Sequence, residues 1–200
     1  LYAYVGNDPV NGRDPSGECQ YDDDGTAISG ICAIDGDSQA ADLVTQQLND
    51  KNSIAGKIED MLGEEGLIVW VESLPNEGAA AGSVTPDFAD PELKEHGDVA
   101  NGEVWIGMQT DTVTGTLTGQ SQEVQIDMTP AEAFEHEMSH ILDGLTGRAN
   151  QDSIGIIEVS GEVVSLVANG VNIGGKEARA VNRTNIYRMK SKLGRQRTRY

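Results

Sequence analysis

Apolar positions recur at helical spacing between residues 130 and 146, where Phe134, Met138, Ile141, Leu142 and Leu145 supply the apolar faces. Thr129 is placed to cap this segment, Pro130 suits its first helical position, and Glu132 falls where a capping box needs its carboxylate. Gly144 and Gly147 are stop signals. A looser helical stripe (Leu43, Gln47, Ile54, Ile58, Met61, Leu62) begins after Ser38, the expected cap, with a break at 49–53. Leu67–Val71 is a β-type run between Gly66 and Pro75, and residues 75–98 read as loop. Strands are expected at 103–110 and 123–128, enclosing a Thr/Gly tract as one long hairpin that leads into the 130–146 helix. Ile154–Val171 is apolar and β-branched, with glycines at 155, 161 and 170, and its spacing is read as helical. A last helix is expected over 176–193, with Glu177 in its first turn. The predicted class is α+β.

The front of the chain has a different texture. Residues 1–17 form a short alternating strand followed by two Asp-Pro turns. Residues 18–37 are acidic, Gly-rich and poor in apolar side chains, and read as a linker. The expected organisation is therefore 1–17, a linker over 18–37, and one domain over 38–200.

Chemistry concentrates on the 130–146 helix. Two of the three histidines, His136 and His140, stand four residues apart with Glu137 between them. Positions i and i+4 share a helix face, so both imidazoles can reach one metal ion. A carboxylate directly after the first histidine lies beside that ion and can serve as general base. This His-Glu-x-x-His pattern is the metallopeptidase constellation, and zinc (Zn2+) is the expected ion. The competing reading is an amphipathic helix with two polar histidines. A catalytic zinc takes a third protein ligand. Glu158, Glu162 and Glu177 are the downstream carboxylates, with Glu162 and Glu177 near equal, and His96 would be an unusual upstream choice. Asp143, one turn after His140, is expected to orient that histidine rather than ligate.

Charge narrows the partners. Residues 1–175 hold 5 basic and 32 acidic side chains, whereas residues 176–200 hold 9 basic and 1 acidic. An acidic body repels phosphates and argues against general nucleic-acid binding. The basic segment is expected to be a helix whose cations face the acidic body and solvent. No run is apolar enough to insert in a membrane. The start at Leu1, without a signal-peptide pattern, reads as an excised or processed segment. Cys19 and Cys32 can be bonded or free, and Trp105 is expected in the core rather than as a substrate platform.

Residues 1–17, Leu-Tyr-Ala-Tyr-Val-Gly-Asn-Asp-Pro-Val-Asn-Gly-Arg-Asp-Pro-Ser-Gly, resemble the close of the Rhs/YD-repeat core, with Glu18 where Leu is usual. That resemblance implies a large β-shell enclosing a C-terminal toxin, released by cleavage after the Asp-Pro-x-Gly segment. Roughly residues 100–200 resemble NleD-like effector metallopeptidases. The matching residues are His136–His140 with Asp143 and the following Leu-Thr-Gly, Glu177-Ala-Arg-Ala-Val, Asn185, Tyr187-Arg188 and the closing Arg197-Thr198-Arg199-Tyr200.

This second resemblance tips the third ligand toward Glu177. It also implies a secreted effector that acts in a target cell. The combined expectation is a small zincin-like zinc endopeptidase. His136, His140 and Glu177 hold zinc, Glu137 is the base, and Tyr187, Arg188 and Tyr200 are candidate oxyanion donors. Expected partners are a protein substrate in the target cell, the Rhs shell and a cognate immunity protein. Two other classes are open: a zinc-dependent hydrolase or nuclease acting on a non-peptide target, and a non-enzymatic binding module.

Overall fold

The computed structural model describes residues 19–198, apart from 24, 80, 87, 89–100, 118–119, 121, 149–155, 160–161, 166, 169–170 and 173. The main sheet contains β1 (Gln20–Tyr21), β2 (Ala27–Ala33), β3 (Ile68–Gly78), β4 (Ala81–Val84) and β5 (Gly102–Gln109), in the order β1-β2-β3-β5-β4. β2, β3 and β5 run parallel, and β1 and β4 are antiparallel edges. A parallel pair needs a long crossover, and α1 (Ser38–Asn49) with α2 (Ala55–Glu65) supplies it between β2 and β3. A hairpin of β6 (Asp111–Leu117) and β7 (Glu123–Met128) leads into α3 (Pro130–Leu145). Two short strand pairs follow, β8 (Ile156–Val159) with β9 (Glu162–Ser165) and β10 (Val167–Ala168) with β11 (Val171–Asn172). Next come α4 (Gly175–Lys190) and β12 (Arg195–Arg197), which pairs with β6. The fold is α+β.

One core sits between the sheet and three helices. Val69, Val71, Val104 and Ile106 pack against Leu43 and Val44 of α1, Ile58 and Leu62 of α2, and Phe134, Met138 and Ile141 of α3. Strand alternation turns Trp70, Glu72, Glu103 and Trp105 to the opposite face. Trp105 is therefore half-buried on that second face and not in the core. Polar anchors fix the helices to the sheet. Asp37, rather than the expected Ser38, caps α1 by accepting from the Ala40 amide, and it also accepts from the Ser73 amide and hydroxyl on β3. Glu59 of α2 accepts from the Ile31 amide at 2.7 Å. Gly30 has φ +109°, which side chains rarely adopt, and a Cβ there would sit 2.5 Å from Glu59 Oε1, so a substitution would be strained and would displace this carboxylate.

The helical expectations at 130–146, 176–193 and the broken stripe after residue 38 match α3, α4 and the α1–α2 pair. Four segments differ. The stretch read as an acidic linker contains β1 and β2, because Ile31 and Cys32 are buried between neighbours that a one-dimensional pattern does not reveal. Cys19 and Cys32 form a disulfide beside Ile68 and Trp70. The loop expected over 75–98 carries the end of β3 and all of β4. The Thr/Gly tract contains strand β6, so the hairpin is β6–β7 and not 103–128. The described residues between 156 and 171 are strand rather than the expected helix, as their β-branched content favours. Residues 1–17 lie outside the described residues, and so does His96.

Candidate metal centre

The centre is assembled on α3. Thr129 accepts from the Glu132 amide while Glu132 accepts from the Thr129 amide, so the expected capping box is complete, with Pro130 at the start. The helix is buried along most of its length. His136 and His140 stack one turn apart, with ring centroids at 5.1 Å and an interplanar angle of 79°. Their side chains are 5% and 13% exposed, so both rings are held by packing and still reachable.

The third member comes from α4. Glu177, in the first turn, places Oε2 3.3 Å from His136 Nε2 and Oε1 3.4 Å from His140 Nε2. Zinc binds nitrogen and oxygen at about 2.0–2.2 Å, so adjacent ligand atoms of a tetrahedral site lie roughly 3.3–3.5 Å apart. Each observed separation has that length, one to each oxygen of the Glu177 carboxylate. Among the described residues, His136, His140 and Glu177 form a group able to hold a metal, each offering one ligand atom within 4.8 Å of the others. Burial acts to raise the Glu177 pKa, but the hydrogen bonds and charge of the two imidazoles outweigh it and hold the carboxyl well below its usual range. Glu177 is therefore an anion at neutral pH, as a ligand must be. Glu158 and Glu162 lie on β8 and β9, in paired strands rather than on a helix face.

Glu137 is 5% exposed and accepts a hydrogen bond from the Ser83 hydroxyl at 2.7 Å. Ser83 lies on the edge strand β4, so the sheet edge touches the carboxylate that follows His136 in the chain. The residue falls in a stretch read as loop, and nothing in its sequence neighbourhood marks it.

Asp143 does not orient His140. Its carboxylate accepts from Arg179 Nε at 2.6 Å and Arg183 NH2 at 2.8 Å, and Arg183 also donates to the Ser139 carbonyl. Near the other end of the helix pair, buried Arg188 donates to Glu132 at 2.7 Å, and Arg195 joins the same carboxylate at 3.0 Å. Burial pushes the Glu132 carboxyl up, but Arg188 and the Thr129 bonds prevail and lower it. Helix α4 is thus clamped antiparallel along α3, with Glu177 carried on it. Arg179, Arg183, Arg188 and Arg195 of the basic segment face acids, as the charge pattern predicts.

Tyr187 is not brought to the metal group. It lies ten residues beyond Glu177, about 15 Å along the helix axis, and its hydroxyl donates to Asp50 at 3.1 Å. Arg188 is fully buried in the Glu132 pair, and Tyr200 lies outside the described residues. Neither Tyr187 nor Arg188 is placed to meet an oxyanion. No described helix is long and apolar enough to cross a membrane. No protein-family model, curated protein or solved structure matches the chain.

Proposed function

We propose that this chain is a zinc endopeptidase with a zincin-like active site, the toxin portion of an Rhs effector. One observation carries the reading. A glutamate from a separate helix, 37 residues beyond His140, arrives at ligand-to-ligand distance from both imidazoles of His-Glu-x-x-His. Two imidazoles and one carboxylate are a donor set that suits zinc. Zinc bound there would supply Lewis acidity, polarising a scissile carbonyl and easing deprotonation of the attacking water. Glu137 adjoins the group and takes the proton, then passes it to the leaving amine.

The position of β4 supports a peptide as the substrate. It is the last strand in the order of the main sheet, packs against α3, and holds Ser83 against Glu137. An extended peptide that adds to this edge lays its amides beside the metal group. The nuclease alternative is weaker, because Arg179, Arg183, Arg188 and Arg195 are engaged by Asp143 and Glu132 and do not form a free phosphate-binding face. The effector setting rests on residues 1–17 and the resemblances of the sequence. It brings as partners the Rhs shell, a protein substrate in the target cell and an immunity protein that blocks the cleft.

The test is metal content of the purified chain beside Glu177→Ala, Glu162→Ala and Glu137→Gln. About one zinc per chain, lost on Glu177→Ala but kept in the other two, with peptidase activity absent from Glu137→Gln, is the expected result. A folded wild type that takes up no zinc on reconstitution would overturn the enzyme reading.

A further inference from the structure

The second face of the main sheet carries a feature that the metal site does not use. Trp70 pairs with Glu103 across β3 and β5, and Glu72 pairs with Trp105 two residues on. The four side chains make a square, with indoles on one diagonal and carboxylates on the other. With strands about 4.8 Å apart and a rise of about 3.3 Å per residue, diagonal positions stand roughly 8 Å apart, within reach of long side chains. Ile34, exposed at the end of β2, and Asp35 extend the square into a cavity of about 470 Å³. The three helices of the core pack on the other face, against Val69, Val71, Val104 and Ile106.

The charge of this cavity is one-sided. Among the described residues, Asp35, Glu72 and Glu103 line it, no cation does, and none of the three carboxylates has an ion pair. Two acids of α3 behave differently, because Glu132 and Asp143 each hold two arginines. Glu72 and Glu103 face each other across the diagonal, and two carboxylates at that range repel. A cation between Glu72 and Glu103 would relieve that repulsion, and two flanking indole faces would attract it further. A planar guanidinium matches both demands, stacking on indole while pairing with carboxylate, and a compact ammonium matches only the second.

We propose that this face is a docking surface for a basic segment of a protein partner, which inserts an arginine side chain between Trp70 and Trp105 and pairs it with Glu72 and Glu103. Ile34 takes an apolar neighbour of that arginine. Polyanions are repelled from the surface, and a neutral apolar partner would leave three carboxylates without counter-charge. The proposal is independent of the metal site, which lies on the far side of the sheet.

Trp70 and Trp105 are the only tryptophans of the chain, so indole emission reports on this cavity alone. The full chain is titrated with the peptide acetyl-Leu-Arg-Leu-Arg-Leu-amide, with its Lys and Glu counterparts, and with free arginine amide. A saturable emission change with the Arg peptide is expected, tighter than with the Lys peptide and absent with the Glu peptide. The double variant Glu72→Gln/Glu103→Gln should bind about ten-fold more weakly while melting like wild type. Should that variant misfold, salt provides the second reading, because binding to wild type must weaken as ionic strength rises. No response at about 1 mM peptide, an equal response to the Glu peptide, undiminished binding by the folded double variant, or salt-independent binding would each overturn the proposal. Free arginine amide binding as tightly as the peptide would also overturn it, in favour of a small-cation pocket.

Discussion

Asp143→Asn separates two ways of supporting a metal ligand. In the structure Asp143 acts on helix α4, through Arg179 at 2.6 Å and Arg183 at 2.8 Å, and not on His140. Its carboxylate is 2% exposed and the two arginines are 22% and 19% exposed. Breaking a fully buried pair costs about 3–5 kcal/mol. Water can reach these guanidinium groups in part, so about 2–4 kcal/mol of stability is expected to be lost. Because α4 carries Glu177, zinc affinity should fall about 10- to 100-fold, the usual effect of removing a group that orients a ligand.

The decisive assay is a double-mutant cycle with Glu177→Ala, read by competition with a chromophoric zinc chelator. If Asp143 acts through α4, its effect on zinc affinity vanishes once Glu177 is gone, and the two changes are strongly non-additive. Arg183→Met should reproduce part of the loss. Full additivity, with Asp143→Asn weakening zinc equally in the Glu177→Ala background, would refute the clamp and restore a direct action on His140.

Three further outcomes are expected. Glu135 is buried beside Ser53, the Ile54 amide and Asp50, and burial, partly offset by those hydrogen bonds, raises its pKa from 4.5 to about 7. A raised carboxyl pKa favours the folded state while protonated, so this contribution is complete below about pH 4.5 and is lost as pH rises to about 7. At about 1.4 kcal/mol per tenfold change in proton affinity the loss is about 3 kcal/mol. Glu135→Gln should remove that slope in urea titrations run with chelator, and parallel pH curves for the two proteins would contradict the assignment. Ser83→Ala deletes the hydrogen bond donated to Glu137, and should lower kcat about ten-fold with zinc content unchanged, while Ser83→Thr retains most activity; an unchanged kcat would show that Ser83 does not position the base. Gly144→Ala places a Cβ 2.7 Å from the Pro86 carbonyl oxygen and 2.8 Å from Thr85, and should destabilise by about 1–3 kcal/mol in thermal melts, so a neutral change would mean that this segment yields freely.

The centre was legible in the sequence wherever its determinants lie within a turn or two of helix. The Thr129–Glu132 box, Pro130 and the i, i+4 histidines interact over three or four residues, so their spacing alone set the start of α3 and the shared face of His136 and His140. The one-dimensional pattern also showed that the acids before residue 176 and the bases after it would meet. It did not show which would pair. Asp143 lies as close in sequence to His140 as a helper should, yet Arg179 and Arg183, 36 and 40 residues further on, take both of its oxygens.

Glu177 and Glu162 were equivalent as spacings, and became different only when α4 docked on α3 and β9 paired with β8. The Tyr187 expectation was open to a local objection, since the rise of one helix already separates it from Glu177. Strand assignments failed where burial depends on a remote partner. β2 hides a parallel strand inside an acidic stretch, and β4 is held by β5. Helix-borne chemistry is encoded by short-range periodicity and can be read from the chain. The candidate third ligand, the partner of Glu137 and the square of Trp70, Glu72, Glu103 and Trp105 exist only after distant segments pack, because register and docking are long-range choices that spacing does not contain.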